Sequence, residues 1–144
     1  MAVNRNLTKA TKTVVVNTGT VAGQTAINCT SVDTLGFSAY RHIVILGTLT
    51  ATQVTSVKAQ ESVDNSVWTD VVAAVTANAA DADSNKTLIL DIYKPQQRYA
   101  RAVVQRATAN AVVIAVITEL WVADFQPTTQ DASNSQFKVM DNPV

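Results

Sequence analysis

Apolar and polar positions alternate along this chain with a period of two. Tyr40–Leu49 reads YRHIVILGTL, with Ile43, Ile45 and Gly47 on one face. Val57, Ala59 and Glu61 alternate with Lys58, Gln60 and Ser62, and Leu88, Leu90 and Ile92 share one face opposite Ile89, Asp91 and Tyr93. Tyr99, Arg101 and Val103 alternate with Ala100, Ala102 and Val104. The run NAVVIAVITELWV, residues 110–122, is apolar at both parities until Glu119, as in a central strand covered on both sides. Weaker strand signals lie at 14–16 and 24–29. Such runs, separated by Gly, Asn, Asp and Ser, predict about seven or eight strands at the spacing of a sandwich or barrel. The expected fold is all-β: a single antiparallel β-sandwich over residues 14–123, with an N-terminal arm, 1–13, and an extended C-terminal tail, 124–144. Trp68, Leu90, Ile92, Tyr99, Val103, Ile114, Val116 and Leu120 are the expected core.

The stretch QESVDNSVWTDVVAAV, residues 60–75, predicts a hairpin. Asn tolerates the left-handed backbone of a tight turn, so Asp64-Asn65 marks the reversal and Trp68 returns toward the core. Residues 71–84 hold helix-favouring Ala interrupted by Val and Thr, with Asn and Asp at the end. They predict a loop with one short turn.

Composition narrows the picture. The 144 residues fit one domain, large enough to bury a core without staples. Formal net charge is zero, which gives no overall attraction to nucleic acid or to a membrane. Basic residues are nevertheless grouped: Arg5, Lys9 and Lys12 precede the first acid, Asp33, and Lys94, Arg98, Arg101 and Arg106 form a second run. The second run reads mainly as a solvated strand face, with Arg98 and Arg101 as candidates to meet a carboxylate of a neighbouring subunit. A lone cysteine, Cys29, allows no internal disulfide and alternates with Ile27 as a small buried residue. No apolar run follows the first charges as in a signal peptide, and the longest one, 111–117, is too short to span a bilayer. Synthesis in the cytoplasm is expected. The C-terminal tail is polar with spaced apolar residues, Phe125, Phe137, Val139 and Met140. With Arg5, Lys9 and Lys12 these are the expected partner-binding positions, on ends that stay mobile until a partner orders them.

Little in the chain points to catalysis. Nucleophilic chemistry needs a base beside the nucleophile, and the only histidine, His42, sits within an alternating strand, where a partly exposed position is expected. One His and one Cys make no structural zinc site. Asp81, Asp83 and Asn85 have calcium-loop spacing, but Lys86 and Ile92 stand where such a loop needs Gly and Glu. No catalytic residue, metal or cofactor is expected.

Three segments carry a resemblance. The hairpin pattern around Asp64, Asn65 and Trp68 resembles one found in small β-sandwich proteins of tailed bacteriophages. It is also similar to a hairpin of discoidin-type carbohydrate-binding sandwiches. SVDTLGFSAYRHIVILGTLT, 31–50, resembles the segment that precedes the hairpin in the phage proteins, and PQQRYARAVVQRATANAVVIAVITELW, 95–121, resembles the strand pair that follows it. The resemblance implies a minor head protein: a capsid decoration or cement protein on the virion surface, bound across major capsid protein subunits and forming homo-oligomers. A neck or tail connector of the same virion and a carbohydrate-binding module are the alternatives.

Overall fold

The β-forming runs become nine strands in a computed structural model that describes residues 6–136 and residue 138. A short helix, α1 (Leu7–Ala10), leads into β1 (Lys12–Gly23), β2 (Ile27–Asn28), β3 (Val32–Asp33), β4 (Phe37–Leu49), β5 (Val54–Ser62) and β6 (Thr69–Val75). A 3-10 turn (Asp81–Asp83) precedes β7 (Thr87–Tyr93), β8 (Tyr99–Ala107) and β9 (Ala111–Ala123). One sheet has the order β1-β9-β4-β7; the other has β2-β8-β5-β6, with β3 also pairing with β8. All recorded pairings are antiparallel. The fold is the expected β-sandwich. The region expected as loop differs in one respect: Thr69–Val75 is an edge strand, and the short turn falls at Asp81–Asp83.

The core lies between the sheets, and β4 decides which of its two apolar faces enters it. Tyr40, His42, Val44 and Leu46 point inward and are fully buried. Arg41, Ile43, Ile45 and Gly47 point outward. The inward set is held by polar pairing across the sandwich. Tyr40 Oη donates to Glu61 Oε1 at 2.9 Å, and the other carboxylate oxygen accepts the backbone N–H groups of Gln96 and Gln97. Glu61 thus joins β5, β4 and the β7–β8 connection. His42 was expected partly exposed but is fully buried, its Nδ1 2.7 Å from Thr118 Oγ1 on β9 and its ring tilted against Tyr40. Its Nε2 has no hydrogen-bond partner among the described residues. Burial pushes the imidazole pKa down to about 3.

Several expected core residues lie elsewhere. Val103, Val116 and Leu120 are buried, and Leu90 and Ile92 are half-buried against the core. Ile114 is half exposed, because the register with β4 slips between Ile45–Ala115 and Leu46–Val113 and turns Ile114 outward. Tyr99 is only half-buried, since Ala100, Ala102 and Val104 form the inward parity of β8. Trp68 is half-buried as well. Its hairpin is wider than a two-residue turn: Glu61 pairs with Thr69, and the loop between them is organised by Asp64, whose carboxylate accepts the N–H groups of Ser66 and Val67. Asn65 takes the left-handed conformation there, φ 60°.

The chain after β9 is not free of the domain. Residues 128–134 form a strap along the open edge of β1. Gln130 Nε2 donates to the carbonyls of Thr8 and Thr11, and its Oε1 accepts from Thr13 N–H. Thr128 Oγ1 donates to Thr8 and Thr11, Ser133 Oγ accepts from Val15 N–H, and Asn134 Nδ2 donates to Thr13 O. The expected boundaries of arm and tail therefore shift: α1, the start of β1 and the strap form one unit. An unpaired edge leaves backbone groups open to foreign strands, and side chains block it here without adding a strand.

Two outcomes are expected. His42 binds a proton in the unfolded chain below its ordinary value of 6.5 but stays neutral in the fold until about pH 3. Stability conferred by the neutral ring is complete above pH 6.5 and is lost as pH falls toward 3, by up to ~1.4 kcal/mol per pH unit. Denaturant melts between about pH 6.5 and 4.5, above the usual carboxylate range, will show this slope, and His42→Phe will flatten it. Gln130→Ala will cost about 1–2 kcal/mol and speed hydrogen exchange at the Thr13 amide; unchanged exchange there would show that the strap does not protect the edge.

Candidate interaction surfaces

The two outward faces of the sandwich differ in character. On the five-stranded sheet, the outward side chains around Lys58, Gln60, Asp70 and Arg101 are polar and bound to one another, although Val72 and Val75 of the edge strand β6 are exposed. Lys58 pairs with Asp70 at 3.0 Å, and Gln60 links Asp70 to Arg101. The Arg101 guanidinium covers the Trp68 ring at 4.4 Å from its centroid. Arg98 grips Asp33 of its own chain with two nitrogens, at 2.8 to 3.2 Å, and lies over Tyr99. The Arg98 pair holds the Asp33 carboxyl below its usual range. Both arginines expected to reach for a neighbouring subunit thus have partners within the chain. Trp68 is a cover for Arg101 and not a core anchor.

The four-stranded sheet presents the opposite. Val15, Ile117, Ile43 and Ile89 lie side by side across β1, β9, β4 and β7, forming an outward apolar row. Ile45 and Ala115 continue it. Beyond them Val112 and Ile114 crowd over Gly47, where an added Cβ would come within 2.8 Å of Val112 Cγ1. The next row in the other direction is Thr13, Glu119, Arg41 and Asp91. Arg41 and Glu119 form an ion pair at 2.6 Å, partly shielded from water. Past that row, Trp121 donates to Asp91 at 3.3 Å and, with Leu7, Arg41 and Gln126, lines a groove of about 440 Å3.

The remaining expected positions scatter. Lys9 lies in the last turn of α1 and its carbonyl accepts from Thr128 N–H, while Lys12 opens β1. Phe125 is 85% exposed just after β9. Arg5, Phe137, Val139 and Met140 lie outside the described residues. Cys29 is buried, which pushes its thiol up to about 12, away from the reactive thiolate form. Asp81 accepts from Thr52 N–H and Gln53, and Asp83 pairs with Lys86. Among the described residues, no three His, Cys, Asp or Glu side chains converge as metal ligands would, and no helix is long and apolar enough to cross a membrane. The outward row of the four-stranded sheet escaped the sequence reading. Its signal was present, since β4 and β9 are apolar at both parities.

No family model and no curated protein matches the chain. Among solved structures it is similar to the crystal structure of PBSX exported protein XepA, with a TM-score of 0.60 at 15% identity. The match covers 98% of this chain and 47% of that one, so this chain spans about half the length of XepA. At that identity the likeness is one of fold.

Trp68→Ala is expected to cost about 1–2 kcal/mol in denaturant melts, the scale of a partly exposed cation–π pair, and not the loss of about 3–5 kcal/mol that follows deletion of a core tryptophan. A loss in the larger range would mean that the ring carries core packing.

Proposed function

We propose that this chain is a structural protein of a bacteriophage virion, a capsid decoration protein that binds across major capsid protein subunits and stabilises the head. The observation that carries the reading is the fold match to PBSX exported protein XepA over nearly the whole chain. It agrees with the order of three segments that resemble phage sandwich proteins. The surfaces support a binding role: one outward face carries an apolar row, and His42 and Cys29 are buried in packing positions. In this reading the protein works without catalysis or cofactor, has protein partners and not nucleic acid or membrane, and resides on the capsid surface. Many weak contacts repeated over an icosahedral shell add up through effective concentration, so each copy needs only a modest interface.

Quantitative mass spectrometry of purified particles carrying this protein tests the reading. Hundreds of copies per particle are expected. About a dozen would indicate a ring at the neck or tail instead, since cyclic connectors repeat in small numbers. Absence from the particle would overturn a virion role.

A further inference from the structure

The outward face of the four-stranded sheet is built to meet itself. We infer that two copies of this chain dimerise face to face through it, about a two-fold axis that runs parallel to the strands between β9 and β4.

The strand order β1-β9-β4-β7 makes this axis specific. It sets β9 against β4 of the second copy and β1 against β7 of the second copy, and it keeps each transverse row opposite itself. In the apolar row, Ile117 then faces Ile43 of the second copy and Val15 faces its Ile89. In the charged row, Arg41 faces Glu119 of the second copy, Glu119 faces its Arg41, and Thr13 faces its Asp91. In these two rows each position meets a chemically suited one, as an isologous interface requires. The Arg41–Glu119 pair within each chain becomes half of a four-charge cluster with no like charges directly opposed. A row of one sign would instead demand a partner of the other sign. The net charge of zero adds no long-range repulsion between copies.

Area supports the same occupant. The strands contribute 12, 13, 13 and 7 residues. Because β1 lies opposite the shorter β7, the overlapping part of the face, at about 16 Å2 of sheet per residue from spacings of about 4.8 Å and 3.3 Å, measures roughly 600 Å2. Specific interfaces begin at about 600 Å2 from each partner. Ile89 and Ile114 are 53% and 50% exposed on this face. Face-to-face packing at about 10 Å, as between the two sheets of any sandwich, would cover them.

This inference is independent of the virion reading, because its test needs only the purified full-length chain. Sedimentation from about 1 to 200 µM is expected to show a dimer. Ile89→Glu, at an exposed edge-strand position, should weaken it at least about tenfold while far-UV circular dichroism stays unchanged. Arg41→Glu and Glu119→Arg should each be monomeric alone, since each sets like charges opposite one another across the axis. Mixed together, the two variants should form a heterodimer, because the axis then brings opposite charges together at both positions. A monomeric parent chain, an Ile89→Glu dimer as tight as the parent, or a mixture that stays monomeric would each overturn the proposal.

Discussion

Glu61 is the side chain on which the orientation of β4 turns. It projects inward from β5, receives the Tyr40 hydroxyl from the opposite sheet, and accepts two backbone N–H groups from the connection that carries the chain from β7 to β8. An inward carboxylate without these three donors would carry a large desolvation penalty. Once Tyr40 is committed to it, the period of two sends His42, Val44 and Leu46 inward and Ile43 and Ile45 outward. A slip of one residue would turn Val44 and Leu46 outward and Arg41, Ile43, Ile45 and Gly47 inward, burying an arginine. It would also leave Glu61 without Tyr40 and Thr118 without the His42 nitrogen. Polar pairing and the outward charge of Arg41 thus select the same face of the central strand, and Ile43 and Ile45 are left on the outer surface as a consequence.

The same economy of polar groups closes the sheet edges. The β1 edge is covered by side chains of Thr128, Gln130, Ser133 and Asn134, each satisfying a backbone group that a foreign strand would otherwise reach. Farther along, Arg106 extends from β8 and donates to the carbonyls of Val21, Thr25 and Ala111, tying the end of β1 to the other sheet. Gly23 lets the guanidinium in close: an added Cβ would stand 3.2 Å from an Arg106 nitrogen and push it back by a few tenths of an ångström. At β6 the register with β5 jumps from Gln60–Asp70 to Lys58–Val75, and Ala73 adopts a left-handed conformation in the bulge. Such a bulge spoils the straight row of donors and acceptors that edge pairing requires. The strands β2 and β3 are too short to template anything.

Strand positions were legible in the sequence because alternation survives wherever one face is wet, as in β7 and β8. The choice of face in β4 was not, since both parities are apolar and the deciding partner, Glu61, lies on another strand. The outward turn of Ile114 depends on a register slip that no single strand encodes, although Gly47 opposite it marks where a side chain must pass. Trp68 looked like a core anchor because it follows a turn, but Arg101, far along the chain, takes its ring face. The strap was hidden for a related reason. Polar residues after Phe125 suggest a loose end when read alone, and their hydrogen-bonding value appears only beside the unpaired start of β1. In each case what was missed is a pairing between segments distant in sequence, while what was legible is local period.

The contrast between the two outer faces bears on function more directly than any single residue. On the five-stranded sheet, Lys58, Asp70, Gln60, Arg101 and Arg98 are paired within the chain, so a partner there would have to break existing bonds before making new ones. On the four-stranded sheet the isoleucines have only water to lose, and burial of their surface is favourable by about 25 cal/mol per Å2. The charged row beside them supplies register, which apolar surface alone does not. An assembly protein needs these two properties together: a driving force that is non-directional and a polar pattern that fixes one orientation. Here both rows are set by the inward commitment of Tyr40 and His42, so the residues that stabilise the core also determine which side chains of β4 face outward.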